Sequence, residues 1–322
     1  MTRLTNEIIN STDGLSSGTY VVEDTITLSH DLTIPNDVTF IFQRGEFTVA
    51  EGCMEEITIY GSNTRLEAPI CTIFGKGINV EGSWDIDRAY PQWFDGDRDI
   101  NNNEIVDYSP LINKAITMKK SGEVFLKAGT YNIHNSIIMG AGITLCGERG
   151  QGNNKSTEIT LNGFKGIYVV CVNAKIAING NGGINEEAIV NYIGQNTILK
   201  NLVFRADYNT IHDKCILAGS GVHFDYIHWY YFKQCIKYVG VYNDCKRITN
   251  CTLNCDGKSD TNNDNIYAID ASWLGDAFIF EHNALHQTIT GKALRIDHCG
   301  GASIQGNIIN GDVYIKGSKA II

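Results

Sequence analysis

The sequence predicts an all-β chain whose short parallel strands stack into a solenoid. Three observations predict this fold: strand-forming residues alternate with Asn, Asp and Gly clusters, a turn-and-strand unit recurs, and helical periodicity is confined to one short segment. Of the 322 residues, 33 are glycine and only 4 are proline, which suits many strands joined by turns. With 43% hydrophobic residues, the chain is long enough to bury a large core.

A turn residue followed by an apolar strand recurs five times in the second half of the chain. By subtraction, these turn residues lie 24, 25, 32 and 24 residues apart, at Asn201, Asp225, Asn250, His282 and Gly306. One such unit cannot bury its inward side chains alone, but stacked units can, with parallel strands about 4.8 Å apart. The alternative is a β-sandwich, but the few Asn-Gly and Asp-Gly turns do not fall at the regular intervals that its hairpins need.

Two Gly-Thr-Tyr triplets, at Gly18 and Gly129, each precede a run of alternating apolar and polar residues. We interpret both triplets as a tight glycine turn into a strand that starts a run of coils. The chain is therefore divided into β-rich lead-in coils over residues 1–92 and a main solenoid over residues 93–322.

One helix is predicted, near residues 109–121. Ser109 can serve as its N-cap, Pro110 occupies the first helical position and Gly122 ends it. Five apolar residues make one face of this helix: Leu111, Ile112, Ala115, Ile116 and Met118. We expect the helix to cap the open end of the main solenoid.

The segment 91–147 carries a Trp-Phe element, an acidic loop, a short helix, a Gly-Thr-Tyr strand and a Gly-terminated strand, in that order. This order resembles the N-terminal signature of the pectate-lyase-like superfamily, which includes phage tailspikes and bacterial polysaccharide-processing proteins. The resemblance implies a right-handed single-stranded parallel β-helix with a short N-terminal capping helix. It also implies a polysaccharide ligand, a homotrimer, and a place on a virion tail, outside the cell or at its surface. The acidic loop departs from the usual signature, since "DGDRDINNNEIVDYS" replaces Gly-Asp-Gly followed by two adjacent Asp.

The charge balance narrows the range of partners. The net charge of -10 and the lack of a Lys/Arg cluster argue against nucleic acid and against an anionic membrane, and they disfavour a polyanionic glycan. The N-terminus lacks the apolar core of a signal peptide, and no stretch is apolar enough for membrane insertion. The ten cysteines are scattered through apolar runs, which is typical of reduced core residues.

Asp270 and Asp297 are the predicted acid and base of a polysaccharide hydrolase. Aligning "IYAIDAS" with "ALRIDHCG" places both at one position on neighbouring coils, where paired carboxylates can divide the acid and base roles of glycoside hydrolysis. His298 adjoins Asp297 and Glu281 lies on an intervening strand, so both belong to the predicted catalytic group. The alternative is that each Asp caps a turn at the end of a strand.

The run "HFDYIHWYYF" offers flat aromatic faces on which sugar rings could stack, and Trp229, Tyr230 and Tyr231 are the predicted substrate-binding residues. Strict alternation would place Trp229 and Tyr231 on one face of the strand and send about half of the run inward. Lys214, on the loop "ADYNTIHDKC", is a further predicted substrate-binding residue, and it would be the basic residue of a β-elimination lyase.

Asp95, Asp97 and Asp99 alternate along the acidic loop, as oxygen ligands of calcium do. No glycine stands at the sixth position of an EF-type loop in any register, and no Glu stands at the twelfth, so the alternative is a solvated polar loop. Apart from this calcium hypothesis, no cofactor is required.

Three classes of function remain open from the sequence. The first is a polysaccharide-cleaving enzyme, as a hydrolase or, less favoured by the acidic charge, as a lyase. The second is a glycan-binding module without turnover. The third is a structural coil stack of a tail or surface assembly. Outward carboxylates beside exposed aromatic residues would favour the first class, exposed aromatic residues alone the second, and a smooth polar surface the third.

Overall fold

The chain divides into two compact units, Met1–Phe125 and Leu126–Ile322, among the residues that the computed structural model describes. These residues are 1–11, 14–53, 56–96, 105–150, 156–178, 184–189, 196–208, 212–240, 245–255, 266–317 and 319–321. This boundary lies later in the chain than the predicted boundary between residues 92 and 93. The division into lead-in coils and a main solenoid stays a prediction.

The first unit is built mainly of parallel strand pairs. Its strands are Thr2–Arg3, Gly18–Val22, Thr25–Leu28, Leu32–Thr33, Val38–Phe42, Glu46–Val49, Ile57–Glu67, Ile78–Asp85, Arg88–Ala89 and Gly122–Leu126, the last of which ends one residue past the boundary. The strand after the first Gly-Thr-Tyr triplet pairs in parallel with Val38–Phe42. Phe47, Phe74 and Phe94 form a buried stack, with ring centroids 6.2 and 5.3 Å apart.

The predicted helix forms at Ser109–Lys119, and shorter helices lie at Asn6–Ile9 and Pro91–Trp93. All five residues of the apolar face predicted for the helix Ser109–Lys119 are buried. Among the described residues, no helix is long and apolar enough to cross a membrane.

The N-cap of this helix differs from the prediction. Tyr108 occupies the cap position and Ser109 is already helical. The Ser109 backbone N–H and hydroxyl both donate to Oδ1 of Asp107, at 2.9 and 2.5 Å, so the aspartate supplies the capping oxygen. Within the first unit, Lys114 Nζ donates to the Ile78 carbonyl at 3.0 Å and fastens the helix to the strand Ile78–Asp85.

The second unit is all-β in its described part. Its strands are Gly129–Asn132, Ile137–Met139, Ile143–Gly147, Thr157–Thr160, Val170–Val172, Ala174–Ile178, Ile184–Ala188, Thr197–Arg205, His212–Ala218, Val222–Tyr230, Phe232–Tyr238, Lys246–Thr249, Thr252–Cys255, Ile269–Glu281, Ala284–Gln287, Lys292–Gln305, Ile308–Asn310, Asp312–Lys316 and Ala320–Ile321. The second Gly-Thr-Tyr triplet again begins a strand at its glycine, as predicted.

Parallel pairing arranges these strands in three columns. Column 1 contains 143–147, 197–200, 222–225, 246–249, 278–281 and 302–305. Column 2 contains 129–132, 157–160, 202–205, 227–230, 252–255, 284–287 and 308–310. Column 3 contains 137–139, 170–172, 212–218, 232–238, 269–272, 292–297 and 312–316. The chain visits the three columns in turn and then returns to the first, which is compatible with a parallel β-helix.

A residue with left-handed backbone separates column 1 from column 2 in successive coils. These residues are Asn201, Tyr226, Asn250, His282 and Gly306, with φ between 51° and 63°. Asn and Gly tolerate this conformation best among the residues found here. Four of the five predicted turn positions are therefore confirmed, and the fifth lies one residue beyond the predicted Asp225.

Inward side chains form continuous apolar rows along each column. In column 2, Ile159, Phe204, Trp229 and Leu253 occupy matching register positions, and all four are fully buried. The rings of Phe204 and Trp229 stack with centroids 6.2 Å apart and an interplanar angle of 18°. These rows supply the burial that a single coil could not supply by itself.

An antiparallel hairpin interrupts the coils of the second unit. It consists of Ala174–Ile178 and Ile184–Ala188. Its base is fixed by the buried Asn173, whose carbonyl accepts from the Ile189 N–H at 2.9 Å and whose Nδ2 donates to Thr197 Oγ1 at 3.1 Å. Ile176 packs on the buried cluster that includes Tyr168 and Leu217.

Replacing Gly219 with alanine is expected to lower the free energy of unfolding by about 1–2 kcal/mol, since a Cβ there would force closely packed backbone apart. That Cβ would lie 2.0 Å from the Asn173 carbonyl oxygen at the base of the hairpin. The matched control is Gly301→Ala, whose Cβ would meet no atom within 4 Å. Urea unfolding of both variants measures the difference, and equal midpoints would contradict the packing described at Asn173.

Candidate functional site

A groove of about 300 Å³ lies over column 2 of the second unit. We call it the arginine–tyrosine groove. The side chains that characterise it are Arg149, Glu158, Arg205, Tyr226, His228 and Tyr230. Arg149 follows a column 1 strand and Tyr226 lies between columns 1 and 2. The other four come from three neighbouring strands of column 2, so paired strands hold most of the groove in place.

Two arginines stack on two tyrosines in this groove. The guanidinium carbon of Arg149 lies 4.4 Å from the ring centroid of Tyr226, and that of Arg205 lies 4.2 Å from the centroid of Tyr230. Arg205 and Tyr230 are register partners on adjacent strands, which explains their contact. Tyr226 is 38% exposed, so its phenol also reaches solvent at the rim. Each stack orders a guanidinium that would otherwise be mobile.

His228 lies between the two tyrosines along the same strand, two residues from each. Its ring is half-buried, and its register partners are Val203 and Thr252. Burial, reinforced by the positive charge of Arg149, lowers the pKa of His228 below its ordinary value. The imidazole is therefore neutral at pH 7, with one nitrogen able to donate and one able to accept a hydrogen bond.

A second hollow of about 520 Å³ shares Arg205 with the groove and extends it past Phe164, Asp207 and His212. The rings of His212 and Phe164 meet edge to face, 5.2 Å apart. Together the two hollows offer aromatic faces, cations and carboxylates along one side of the unit. This combination is typical of sites that bind sugars through stacked rings and hydrogen bonds to hydroxyl groups.

Two of the predicted aromatic ligands lie at this groove. Tyr230 lines it, and Tyr231 is half-buried beside it, with ring centroids 6.1 Å from Tyr230 and 5.3 Å from Tyr208.

The prediction that Trp229, the third aromatic residue, binds the substrate is wrong. Its side chain is 0% exposed and packs in the inward row of column 2, so it cannot contact a polysaccharide there. The expectation that Trp229 and Tyr231 share a face is also wrong. Tyr231 has a left-handed backbone, with φ of 67°, which interrupts the alternation immediately after the strand.

Asp270 and Asp297 lie on neighbouring strands of column 3, but not opposite each other. The register pairs Asp270 with Arg295 and pairs Ser272 with Asp297, so the two carboxylates are offset by two positions. The alignment that placed them at one position is therefore wrong by two residues. Because the offset is even, both still belong to the same side of the pleat. Their use as an acid and base pair stays a prediction.

The surroundings of the two aspartates differ. Asp297 is 8% exposed by side chain; its Oδ2 lies 3.3 Å from Arg295 Nη2 and its Oδ1 lies 2.5 Å from His298 Nδ1. Asp270 accepts the Ser272 hydroxyl at 2.5 Å. His298 is thus brought to Asp297, as its place in the sequence suggests.

Glu281 is not brought to this pair. It lies in column 1, where its register partners are Thr249 and Gln305, and its Oε1 accepts the Ser303 hydroxyl at 2.6 Å.

Lys214 lies in column 3 and donates from Nζ to Oε1 of Glu186 at 2.9 Å. Glu186 comes from the hairpin and also accepts from the Tyr168 hydroxyl at 2.8 Å and from Lys237 Nζ. Burial alone raises the pKa of Glu186, but the bonds from Lys237, Lys214 and Tyr168 outweigh burial and lower this pKa to about 2. This cluster fastens the hairpin to column 3, a role that the sequence analysis did not find.

The acidic loop is only partly described. Asp97 and Asp99 lie outside the described residues, while Asp95 Oδ1 accepts the Gly96 N–H at 3.0 Å. Calcium binding by Asp95, Asp97 and Asp99 stays a prediction.

The first unit contains a larger hollow, of about 900 Å³, but both of its arginines are engaged in the unit's own structure. Arg65 pairs with Glu67 at 2.9 Å. Arg88 pairs with Glu123 at 2.7 Å and stacks on Phe125, and Trp93 donates to the Pro69 carbonyl at 2.9 Å. Volume alone therefore does not make it the better candidate.

No protein-family model, no curated protein and no solved structure matches this chain. The resemblance to the pectate-lyase-like superfamily therefore stays a prediction, compatible with the parallel strand pairing. Among the described strands of the second unit, all except the two strands of the hairpin pair in parallel.

Sequence reasoning did not select Arg149, Arg205, His228 or Glu158. The signal that could have found part of this set is the repeat itself. Aligning the left-handed residues Asn201 and Tyr226 sets Arg205 opposite Tyr230, 25 residues later. Arg149 follows the column 1 strand that pairs with 197–200, and no motif marks it.

Proposed function

We propose that this chain is a carbohydrate-binding protein that holds a polysaccharide in the arginine–tyrosine groove. We further propose that its parallel strands form a right-handed single-stranded β-helix with a short N-terminal capping helix. The observation that carries the proposal is the pair of arginine–tyrosine stacks on either side of His228 in an open groove.

The chemistry of the groove supports a sugar ligand over an apolar one. Tyrosine rings offer apolar faces to the C–H side of a sugar ring, while guanidinium, imidazole and carboxylate groups can bind its hydroxyl groups. Five of the six characteristic residues sit on strands, and Arg149 lies two residues past the strand Ile143–Gly147. A site held in this way loses little conformational entropy when a ligand binds.

Polysaccharide binding is expected to weaken about tenfold in Tyr226→Ala and in Tyr230→Ala, because each variant removes a stacking face and frees the arginine above it. The assay is affinity electrophoresis of the purified chain against a panel of bacterial capsular and plant polysaccharides. Tyr60→Ala is the matched control, since Tyr60 is 36% exposed but lies in the first unit. Unchanged binding in both groove variants, or an equal loss in the control, would overturn the proposal.

A hydrolase is the second candidate, favoured by the two carboxylates on one side of column 3. Asp297 lies beside Arg295 and His298, and Asp270 is held two positions away by Ser272. Glycoside hydrolysis uses two such groups, one as acid and one as base or nucleophile. A lyase is less favoured because Lys214, its proposed base, donates to Glu186.

If the chain cleaves the polysaccharide that it binds, new reducing ends without unsaturated products are expected, and Asp270→Asn and Asp297→Asn should each lower the rate at least a hundredfold. Glu281→Gln is the control, since Glu281 lies in another column. Unsaturated products would favour a lyase, and full activity in either Asn variant would exclude that residue from the chemistry. Binding without any cleavage would leave the glycan-binding module as the function.

The biological setting proposed for this activity follows from the resemblance. A β-helix of the tailspike type would act as a homotrimer on a virion tail, or outside the cell or at its surface. A structural coil stack without ligand remains the alternative if the whole polysaccharide panel fails to bind.

A further inference from the structure

We propose that the arginine–tyrosine groove selects an acidic saccharide, and that Arg149 binds its carboxylate while Arg205 supplies a second cation in the same groove. This inference rests on the proposed function, since it names the class of sugar that the groove would take. It concerns one acidic group at one place, not a long polyanion.

Arg149 is the first support for this inference. Its guanidinium stacks on Tyr226, and no carboxylate oxygen in the described part of the chain lies within 4.0 Å of its nitrogens. The segment 151–155 that follows Arg149 contains no acidic residue. A guanidinium stacked by its face still presents its N–H groups along its edge, in the planar fork that matches a carboxylate.

Arg205 supplies the second cation. Its Nε donates to Glu158 Oε1 at 3.0 Å while its guanidinium stacks on Tyr230. The bond to Glu158 uses one of five N–H donors, so it orients the guanidinium without exhausting it. Glu158 and Tyr230 therefore position Arg205 for a ligand in the groove.

The local charge of the groove differs from that of the whole chain. Two arginines and one glutamate give the groove a formal charge of +1, with His228 neutral, whereas the chain carries -10. The overall negative charge would repel a continuous polyanion at long range. A repeating unit with one carboxylate among neutral sugars would be attracted by the positive groove and would be repelled less by the rest of the chain than a continuous polyanion.

The experiment compares acidic capsular polysaccharides with their carboxyl-reduced forms, in which each carboxylate becomes a neutral hydroxymethyl group. Each acidic member of the panel that binds is reduced and measured again with the wild-type chain and with Arg149→Gln. We expect reduction to weaken binding about tenfold, and Arg149→Gln to weaken binding of the acidic form about tenfold while weakening that of the reduced form much less.

Two variants serve as controls. Arg247→Gln removes the same charge from an exposed position in column 1 and should bind both forms like the wild type. Arg149→Lys keeps the charge but loses the planar fork, and should lie between wild type and Arg149→Gln. Thermal unfolding of each variant confirms that it is folded.

Each remaining outcome overturns the inference in a distinct way. If acidic and reduced forms bind equally, or if only neutral polysaccharides bind and Tyr226→Ala still weakens them, the acidic selectivity is wrong while the proposed function stands. If no polysaccharide binds, the proposed function fails and the inference fails with it.

Discussion

Replacing Trp229 with alanine is expected to lower the free energy of unfolding by about 3–5 kcal/mol, the usual cost of emptying a large buried site. Trp229 is fully buried, stacks on Phe204 at 6.2 Å, and continues the inward row of column 2 toward Leu253. Because coils are stabilised by their neighbours, the cavity would weaken the contacts of the coils on both sides. Urea unfolding followed by far-UV circular dichroism measures the loss, because this signal does not rely on the fluorescence of the replaced tryptophan.

The neighbouring Tyr230→Ala variant is the matched comparison. Tyr230 is half-buried and faces the groove, so this variant should keep most of the stability while losing polysaccharide affinity. The two variants therefore distinguish a residue of the buried core from a residue of the binding site, although the two residues are adjacent in sequence. A Trp229→Ala variant that keeps its stability but loses binding would show that Trp229 contacts the ligand, contrary to its position here.

The Glu186→Gln variant is expected to lose about 2–3 kcal/mol of stability at pH 7, since it removes a carboxylate that three donors stabilise. The pKa of Glu186 is lowered from its ordinary value of 4.5 to about 2, and its side chain is 12% exposed. A lowered pKa in the folded state stabilises the fold above pH 4.5, and this contribution disappears as the pH falls toward 2. The wild type should therefore lose its advantage over Glu186→Gln between these two values.

Glu187→Gln provides the control for this acid dependence. Glu187 is the next residue on the same hairpin strand, is 40% exposed, and pairs with Lys175 at 3.3 Å. An exposed pair of this kind contributes about 0–1 kcal/mol, so the control should follow the wild type closely. Chemical denaturation at several pH values tests both variants. Parallel pH profiles for wild type and Glu186→Gln would contradict the role of Glu186 in fastening the hairpin.

Much of the fold could be predicted because the repeat is set by local backbone requirements. Asn201, Asn250 and His282 mark left-handed turns between columns, and such turns favour a few residue types that are visible in the sequence. The helix Ser109–Lys119 was equally visible, through Pro110 and its apolar face. The capping oxygen of Asp107 was missed because Ser109 is an equally good candidate by residue type.

The site was harder to predict because it depends on register. At the third coil the left-handed residue is Tyr226 and not Asp225, and a slip of one residue turns every following side chain to the opposite face. That slip hid the pairing of Arg205 with Tyr230, and without the register the aromatic run could not be divided into inward and outward residues. The sequence alignment of Asp270 with Asp297 likewise differs from the observed register by two positions. The two carboxylates therefore keep a common face but do not lie opposite each other. The hairpin carboxylate of Glu186 lies outside the repeat, so no periodic pattern could predict its partners.

The most direct test of the central claim is the histidine NMR spectrum of the chain during titration with an oligosaccharide prepared from a polysaccharide that binds. The imidazole of His228 lines the arginine–tyrosine groove, whereas His298 lies beside Asp297 in column 3. If the groove binds the sugar, the His228 resonances shift with saturation while those of His298 stay unchanged. Saturable shifts at His298 with a silent His228 would place the sugar at the aspartates of column 3 and contradict the account.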